Sequence, residues 1–458
     1  MIRILFVFLI VCCCGNFANA QQDTSLRAVG TQQDTLLSRI VLIGDGGELK
    51  NGRHPVADAV KRNIPMDAKT LVLYLGDNLY RIGLPDDAYI GYQQAKNVLD
   101  SQLSVVENTP ARVIMIPGNH DWNNGGKDGY NAIRRQQFYV DLLGKQNVMY
   151  YPKDGCPGPI EVNVGDEIVL VIMDSQWWIH PFDKPEVESD CPYKTETEVL
   201  SQLGDIISRN YKKLLIFACH HPFRTYGLHG GAYGLKQHIF PFTDLSPNLY
   251  IPLPIVGSIY PISRSVFGTP QDLKHPDYAD MVTQVEAVMK SHPNVIFVHG
   301  HDHSLQYIKD SSFNYIVSGS GAKQQRVVKS RRTEYVKGET GFATLEVSTN
   351  KNVNVNFYVV HGDSAKKDFT GPVLNFAKLP EIKQDTVLSP LVKYKDTINM
   401  PASTRYDKIS GFQKWMMGSN YRKEWSTLVN FKVFNLNCAK GGFKILSLGG
   451  SKHTRALK

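Results

Sequence analysis

Five short motifs in this sequence carry the kinds of side chain that bind metal ions. Each motif follows a run of apolar, mostly β-branched residues, so its polar side chains stand where a buried strand is predicted to end. A single Gly-Asp after a strand is usually a turn, and a single buried histidine is usually a hydrogen-bonded core residue. Five such motifs in one chain are a stronger signal, because Asp, Asn, Tyr and His are all metal ligands. The motifs are Gly44-Asp45-Gly46-Gly47, Gly76-Asp77-Asn78-Leu79-Tyr80, Gly118-Asn119-His120-Asp121, Cys219-His220-His221-Pro222 and Gly300-His301-Asp302-His303.

The elements that must position these motifs are predicted to belong to an α/β domain. Strand-like runs alternate with helical patterns at Tyr89–Val106 and Tyr278–Met289, an order typical of layered α/β folds. Later runs at Phe313–Ser318, Ala343–Val347 and Val353–Val360 alternate like antiparallel strands. We expect two sheets packed as a sandwich between helices, with the chemistry at the carboxyl ends of the strands. The earlier predicted strands are Arg39–Gly44, Thr70–Gly76, Arg112–Pro117, Ile168–Asp174, Lys213–Cys219 and Val295–His299.

Taken together, the motifs resemble those of the metallophosphoesterase superfamily, and specifically its purple (tartrate-resistant) acid phosphatase branch. The resemblance covers roughly Ser38 to His361. Most members of the superfamily place a metal-binding histidine two residues after the first aspartate, where this sequence has Gly47. The purple branch replaces that ligand with a tyrosine three residues after the second aspartate, and Tyr80 stands at that place. This paired loss and gain of a ligand indicates the branch.

The resemblance implies a fold and a cofactor. The fold is an α/β four-layer sandwich in which two central mixed β-sheets are flanked by helices, followed here by a C-terminal extension. The cofactor is a pair of metal ions, ferric iron with a divalent iron, zinc or manganese. Phenolate and carboxylate donors suit the trivalent ion, and imidazole and amide donors suit the divalent one. The implied ligands are Asp45, Tyr80 and His303 for the ferric ion, Asn119, His220 and His301 for the divalent ion, and Asp77 as the bridge.

The activity that the resemblance implies is hydrolysis of phosphate monoesters by a hydroxide activated at the two metals, attacking in line with the leaving alcohol. By the same resemblance, His120 is expected to bind phosphate and to protonate the leaving group, with Asp121 orienting it. His229, nine residues beyond His220, corresponds to a second histidine of the family with a similar role. His221 is interpreted either as an outer residue of the site or as a structural one.

Two other functions compete with this interpretation. The same metals could cleave phosphodiesters or nucleotides, with aromatic residues of the long segment Phe223–Pro276 forming a base-stacking wall. Alternatively, the chain could be a catalytically silent surface binding protein. The expected partner is a small phosphorylated substrate. A formal net charge of +8 over 458 residues is too mild to indicate nucleic acid as a stable partner.

The N-terminus has the pattern of a secretory signal peptide. Arg3 precedes an apolar run that ends near Ala18-Asn19-Ala20, a small-residue cleavage pattern. We therefore expect a signal peptide at 1–20, a linker at 21–37, the catalytic domain at 38–361 and an extension of unknown role at 362–458. The protein is expected to be exported. Lipid attachment at Cys12–Cys14 and cell-envelope association through either end are alternatives, and the unusual end at Ser451–Lys458 favours a fragment of a longer protein.

Several residues outside the motifs also carry expectations. In an exported protein, Cys156 and Cys191 are candidates for a disulfide, because both lie in proline-rich loops, whereas Cys219 is expected to be a buried thiol. The segment Phe223–Pro276 is either a functional lid or wall, or a surface excursion. Trp177-Trp178 are expected to pack in the core or a lid. The basic stretch Lys323–Arg332 is interpreted as a solvated loop.

Overall fold

The computed structural model describes residues 34–244, 248–362 and 364–377, and the backbone of two strands at 435–438 and 443–446. The predicted signal peptide, the cysteines at 12–14 and most of the C-terminal extension lie outside these residues. In the described part of the chain, the strands of the main fold form two sheets of seven strands each. None of the helices seen there combines the length and apolarity required to cross a bilayer.

The first sheet is mixed. Its strand order is β14-β13-β12-β1-β2-β3-β4, with β1 to β4 parallel and the other neighbouring pairs antiparallel. Its strands are β1 (Leu36–Ile43), β2 (Thr70–Leu75), β3 (Arg112–Ile116), β4 (Val148–Tyr150), β12 (Gly341–Ser348), β13 (Asn352–His361) and β14 (Ser364–Asn375).

The second sheet is also mixed. Its order is β11-β9-β10-β8-β7-β6-β5, with β6, β7, β8 and β10 parallel. Its strands are β5 (Ile160–Asn163), β6 (Ile168–Ile172), β7 (Leu214–Ala218), β8 (Val295–His299), β9 (Leu305–Lys309), β10 (Asn314–Ser318) and β11 (Thr333–Lys337). Two further strands, β15 (Asn435–Cys438) and β16 (Phe443–Leu446), pair only with each other in the described structure.

Helices cover the outer faces of both sheets. The α-helices are α1 (Pro55–Asn63), α2 (Tyr92–Leu103), α3 (Gly129–Leu142), α4 (Ser175–Ile179), α5 (Glu196–Arg209), α6 (Leu235–Ile239), α7 (Ile259–Phe267) and α8 (Pro276–Met289). Short 3₁₀ turns lie at Ser104–Val106, Asn123–Gly125, Pro241–Asp244 and Val256–Ser258.

The alternation of side chains along each strand builds three apolar layers. In β2, Leu71 and Leu73 face the other sheet, whereas Val72 and Tyr74 face the helices. The central layer joins inward residues of both sheets, such as Leu73 and Ile216. One outer layer packs the first sheet against α1, α2 and α3, and the other packs the second sheet against α4, α5 and α8. The predicted four-layer sandwich is therefore confirmed.

The carboxyl ends of the central strands of the two sheets meet at one edge of the sandwich. The backbone N–H of Gly44, after β1, donates to the Ser318 carbonyl at the end of β10, at 2.7 Å. The N–H of Gly300, after β8, donates to the His220 carbonyl after β7, at 3.0 Å. The first bond joins loops of the two sheets, and the second joins neighbouring loops of the second sheet, so side chains from distant parts of the chain converge there.

The structure extends the predicted boundaries and adds elements. Strand β14 pairs with β13 along its length, so the sheet continues past the expected domain end at residue 361. Val373 and Phe376 belong to the layer between the sheets. The helix predicted at Tyr89–Val106 is shorter as α2 and ends in a 3₁₀ turn.

The cysteine and tryptophan predictions are confirmed. Cys156 and Cys191 form a disulfide, and Cys219 is a buried free thiol. Trp177 and Trp178 on α4 are buried in the outer layer beside the second sheet. These residues stabilise the fold rather than line the candidate site.

Candidate metal centre

Three lone-pair donor atoms lie close together, one each from the side chains of Asn119, His220 and His301. His220 Nδ1 lies 2.8 Å from the Leu75 carbonyl, and His301 Nε2 lies 2.8 Å from the Gln271 carbonyl. A carbonyl only accepts, so these nitrogens carry the hydrogens, and His220 Nε2 and His301 Nδ1 carry lone pairs. These two nitrogens lie 3.2 Å apart, and Asn119 Oδ1 lies 3.0 Å and 3.1 Å from them. With the Asn119 carbonyl oxygen turned inward, this group has three acceptors and no shared hydrogen, which suits a cation.

A second group of donors lies beside the first. The Tyr80 hydroxyl lies 3.2 Å from Asp45 Oδ1 and 3.2 Å from His303 Nε2. His303 Nε2 is 3.4 Å from the same Asp45 oxygen. These atoms come from the loops after β1, β2 and β8, so both sheets contribute to the group.

Asp77 lies between the two groups. Its Oδ1 is 3.4 Å from His220 Nε2 in the first group. Asp77 also has a carboxylate oxygen within 4.8 Å of ligand atoms of Asp45 and His303 in the second group. Its position is therefore that of a carboxylate able to bridge two ions.

The spacing of the donor atoms fits two metal ions. Donors that bind one ion at roughly 2.1 Å and at right angles lie about 3.0 Å apart. The separations of 3.0–3.4 Å within each group match that geometry. The residues present therefore fit a binuclear centre in both spacing and chemistry.

The electrostatics of the donor set also favour cations. Burial, with repulsion from Asp77, raises the pKa of Asp45 to about 8. Burial together with Asp45 and Asp77 raises the pKa of Tyr80 well above its usual value. Burial lowers the pKa of His303 to about 4 and that of His301 far below its usual value. The imidazoles are thus neutral and able to coordinate, and a bound cation would favour the ionised forms of Asp45 and Tyr80.

The backbone around Gly47 explains why Tyr80 and a glycine occur together. A Cβ at position 47 would lie 2.7 Å from the backbone nitrogens of Leu79 and Tyr80. The Tyr80 N–H donates to the Gly47 carbonyl at 3.0 Å. A side chain at position 47 would therefore displace the segment that carries Tyr80.

Three of the grouped residues adopt left-handed backbone conformations. The φ angles of Asp45, Asp77 and His301 are 59°, 52° and 69°. Such angles cost of order 1–3 kcal/mol in residues other than glycine, and they concentrate at functional sites. The sharp turns after β1, β2 and β8 aim these residues at the site instead of continuing the strands.

His120 lies on the accessible side of the centre. Its Nδ1 is 2.7 Å from the Arg81 carbonyl, and its Nε2 is 3.9 Å from Asp77 Oδ2. Its side chain is 21% exposed, against 2% for Asp77. The ring therefore presents Nε2 at the mouth of the site.

Asp121 does not orient His120, contrary to the expectation from sequence. Its carboxylate accepts the backbone N–H groups of Gly118, Asn78 and Leu79, and also the Asn78 side-chain amide. The Arg81 carbonyl takes the orienting position beside His120 instead. Asp121 is buried and fixes the loops after β2 and β3 against each other.

His229 packs on the centre from the segment between β7 and α8. Its ring centroid lies 4.0 Å from that of His301. His229 Nδ1 lies 2.9 Å from Asp272 Oδ1. The guanidinium of Arg264 on α7 donates two hydrogen bonds of 2.8 Å to the same carboxylate. Burial acts to lower the pKa of His229, but the hydrogen bond to Asp272 and the charges of Asp302 and Asp272 together raise it above its usual value.

The C-terminal part of Phe223–Pro276 forms a wall of the site. Gln271 contacts His301 through its carbonyl and His221 through its side chain at 2.7 Å. His221 is buried, and its other nitrogen lies 2.8 Å from the Ser175 hydroxyl. With both nitrogens engaged by protein groups, His221 has a structural role behind His301.

Lys323 is a site residue that the sequence analysis placed in a solvated loop. Its Nζ lies 3.2 Å from the centroid of the Tyr80 ring, and the side chain is half-buried. Arg326 is also half-buried and covers the Tyr233 ring. The solvated-loop prediction holds for Lys329, Arg331 and Arg332, which are exposed. The nearby Gly319-Ser320-Gly321 turn was the available signal that this loop approaches the motifs.

The fold and the donor set together are typical of a metal-dependent phosphoesterase. The sequence matches the family model for calcineurin-like phosphoesterases over residues 38–319. The chain belongs to the calcineurin-like phosphoesterase family.

Several solved structures are similar to this chain at low sequence identity. GAP50 from Plasmodium, described as the anchor in the inner membrane complex, is 16% identical, with a TM-score of 0.45 and coverage of 78% of this chain and 95% of GAP50. Purple acid phosphatase PPD1 from yellow lupin (Lupinus luteus) seeds is 14% identical, with a TM-score of 0.43 and coverage of 73% and 53%. PhoD is 13% identical, with a TM-score of 0.44 and coverage of 79% and 77%. A comparison with curated proteins gives no match.

Proposed function

We propose that this protein hydrolyses phosphate monoesters at a centre of ferric iron and a divalent ion, in the manner of the purple acid phosphatases. The observation that carries the proposal is the exchange of one ligand position for another. Position 47 has no room for a side chain, and the Tyr80 hydroxyl lies 3.2 Å from both Asp45 and His303. A phenol among hard donors favours a trivalent ion.

The two donor groups support one assignment of the two metal positions. When bound, the ions would supply Lewis acidity and an acidified water for attack on phosphorus. Asp45, Tyr80 and His303 would hold the ferric ion, and Asp77 would bridge to the divalent one. Asn119, His220 and His301 would hold the divalent ion.

Two histidines outside the ligand set would handle the substrate. The Arg81 carbonyl accepts the Nδ1–H of the His120 ring, so Nε2 faces the site and, when protonated, can donate to a phosphoryl oxygen or pass its proton to the leaving alkoxide. Asp272 fixes His229 against His301, so its ring lines the same pocket. Asp121 acts indirectly, since it holds the loops that carry Asp77 and Asn119.

Rates on p-nitrophenyl phosphate and on bis(p-nitrophenyl) phosphate test the proposal. We expect the purified protein to prefer the monoester, and Asn119→Ala to lose at least about 100-fold in rate, because even an outer partner of a metal ligand is worth roughly 10–100-fold. A strong preference for the diester would replace the monoesterase with a phosphodiesterase. An Asn119→Ala variant as active as wild type would exclude catalysis at this centre. An inactive wild-type protein with both metals bound would also exclude it and would favour a binding role.

A further inference from the structure

The loop that carries Lys323 is fixed by main-chain hydrogen bonds beside the candidate metal centre. The loop after β10 is tied to two proposed ligand residues on either side of Lys323: the Ala322 N–H donates to the Asp45 carbonyl at 2.9 Å, and the Gln325 N–H donates to the His303 carbonyl at 2.7 Å. These backbone bonds fix the main chain on both sides of Lys323 next to the site, independently of the lysine's own side-chain contacts. Its position is therefore part of the fold and not a chance placement of a surface side chain.

Lys323 lies on the same accessible side of the site as His120. Asp45, Asp77, Asn119, His220 and His301 are buried, whereas Tyr80, His120, His303 and Lys323 keep partial exposure. The Tyr80 ring contacts both flanking groups, with His120 at its edge, 4.8 Å between centroids, and Lys323 over its face. A substrate that enters from solvent would meet both His120 and Lys323.

The charge of Lys323 is available to an incoming anion. Burial lowers the pKa of Lys323, the charges of Asp77, Glu48 and Asp45 act in the opposite direction, and Arg81 adds to the lowering. Under the proposed function, Asp45 and Asp77 bind the metal ions, so they do not neutralise the ammonium group, which lies over the Tyr80 ring. A half-buried ammonium attracts an anion more strongly than an exposed one, because water screens it less.

We propose that Lys323 is a substrate-binding residue that recognises the second negative charge of a phosphate monoester and so selects monoesters over diesters. This inference rests on the proposed function. A monoester is a dianion near neutral pH and a diester is a monoanion, so a fixed positive charge favours the monoester about twice as strongly in Coulomb energy. The lysine thereby adds to the preference for a dianion that a positively charged metal centre itself creates.

The test compares Lys323→Met, Lys323→Arg and the control Lys329→Met, which removes an exposed lysine of the same loop, in the full-length metal-loaded protein. Affinity for inorganic phosphate is measured by titration calorimetry, with metal content and kcat/KM for both p-nitrophenyl esters measured beside it. We expect Lys323→Met to weaken phosphate binding and monoester kcat/KM by about 10- to 100-fold, the range of a charge-assisted hydrogen bond, with a smaller effect on the diester. Lys323→Arg should retain most of the affinity, and Lys329→Met should match wild type.

The phosphate titration separates this inference from the proposed function. Unchanged phosphate affinity in Lys323→Met would overturn the role of Lys323 while monoester hydrolysis stands. An equal loss of kcat/KM on both esters would also overturn it. A loss of bound metal without a change in phosphate affinity would do the same, since the lysine would then be a counter-ion of the carboxylates. A wild-type protein that binds phosphate through Lys323 without turning over monoesters would refute the hydrolase and keep the binding role.

Discussion

At the residue scale, the site depends on a few positions where main-chain groups set the tautomer of a histidine or exclude a side chain. The Leu75 and Gln271 carbonyls set the tautomers of His220 and His301, and so aim their lone pairs at Asn119. Gly47 clears the space that the backbone before Tyr80 occupies. The chemistry of the ligands is thus fixed by groups that do not themselves bind metal.

Gly47→Ala tests the coupling between Gly47 and Tyr80. The added Cβ would meet the backbone nitrogens of Leu79 and Tyr80 at 2.7 Å, so the segment must move. We expect a loss of about 1–3 kcal/mol in unfolding free energy and a large loss of activity. Urea unfolding and the p-nitrophenyl phosphate assay measure both.

Gly204→Ala on α5 is the matched control. No atom lies within 4 Å of a Cβ at that position, and the glycine is inside a helix. The change should leave activity intact and raise stability by up to about 1 kcal/mol. Wild-type stability and activity in Gly47→Ala would show that the loop accommodates a side chain, and that the ligand exchange has no steric basis.

Sequence reasoning located the donor residues but not all of their neighbours. Each motif is local and follows a recognisable strand, so Asp45, Asp77, Asn119 and His220 could be placed at strand ends from sequence. The partners of Asp121 and the position of Lys323 depend on loops that meet across the two sheets. Spacing along the chain carries no direct record of such contacts, and for that reason both residues received other roles from sequence alone.

At the scale of elements, the long and regular strands were predictable and the edges of the sheets were not. Apolar runs such as Thr70–Leu75 are buried on both faces and read clearly as strands. Strand β14 has an exposed, charged stretch with Lys366, Lys367 and Asp368, so its sequence does not indicate a strand that pairs with β13. The boundary at residue 361 therefore fell within a hairpin.

Truncation tests where the catalytic domain ends. A chain ending at residue 377 keeps β14, whereas one ending at residue 361 loses the pairing with β13 and the burial of Val373 and Phe376. We expect the shorter chain to lose about 3 kcal/mol or more in unfolding free energy, the cost of removing one large core side chain. Thermal or urea unfolding measures the difference.

The longer truncation is the reference for this comparison. We expect it to keep phosphatase activity and a single cooperative unfolding transition. Equal stability of the two truncated chains would show that β14 contributes nothing to the sandwich.

At the scale of the whole molecule, two sheets act as one scaffold for one site. The first sheet supplies Asp45, Asp77, Tyr80 and Asn119, and the second supplies the three ligand histidines. The apolar layer between the sheets fixes their relative position and therefore the distance between the two donor groups. A metal centre shared in this way also links the two sheets, so metal binding should stabilise the whole fold.

Metal content and the visible absorption spectrum of the purified full-length protein and of Tyr80→Phe test the binuclear centre most directly. We predict close to two metal ions per chain, including iron, and a visible band from the Tyr80 phenolate bound to ferric iron. Tyr80→Phe should lose that band, and Tyr130→Phe, which changes a tyrosine packed on Trp122 outside the donor groups, should keep it. An active protein without iron and without a visible band, or a Tyr80→Phe variant that keeps its colour, would contradict the assignment of Tyr80 and of the ferric site.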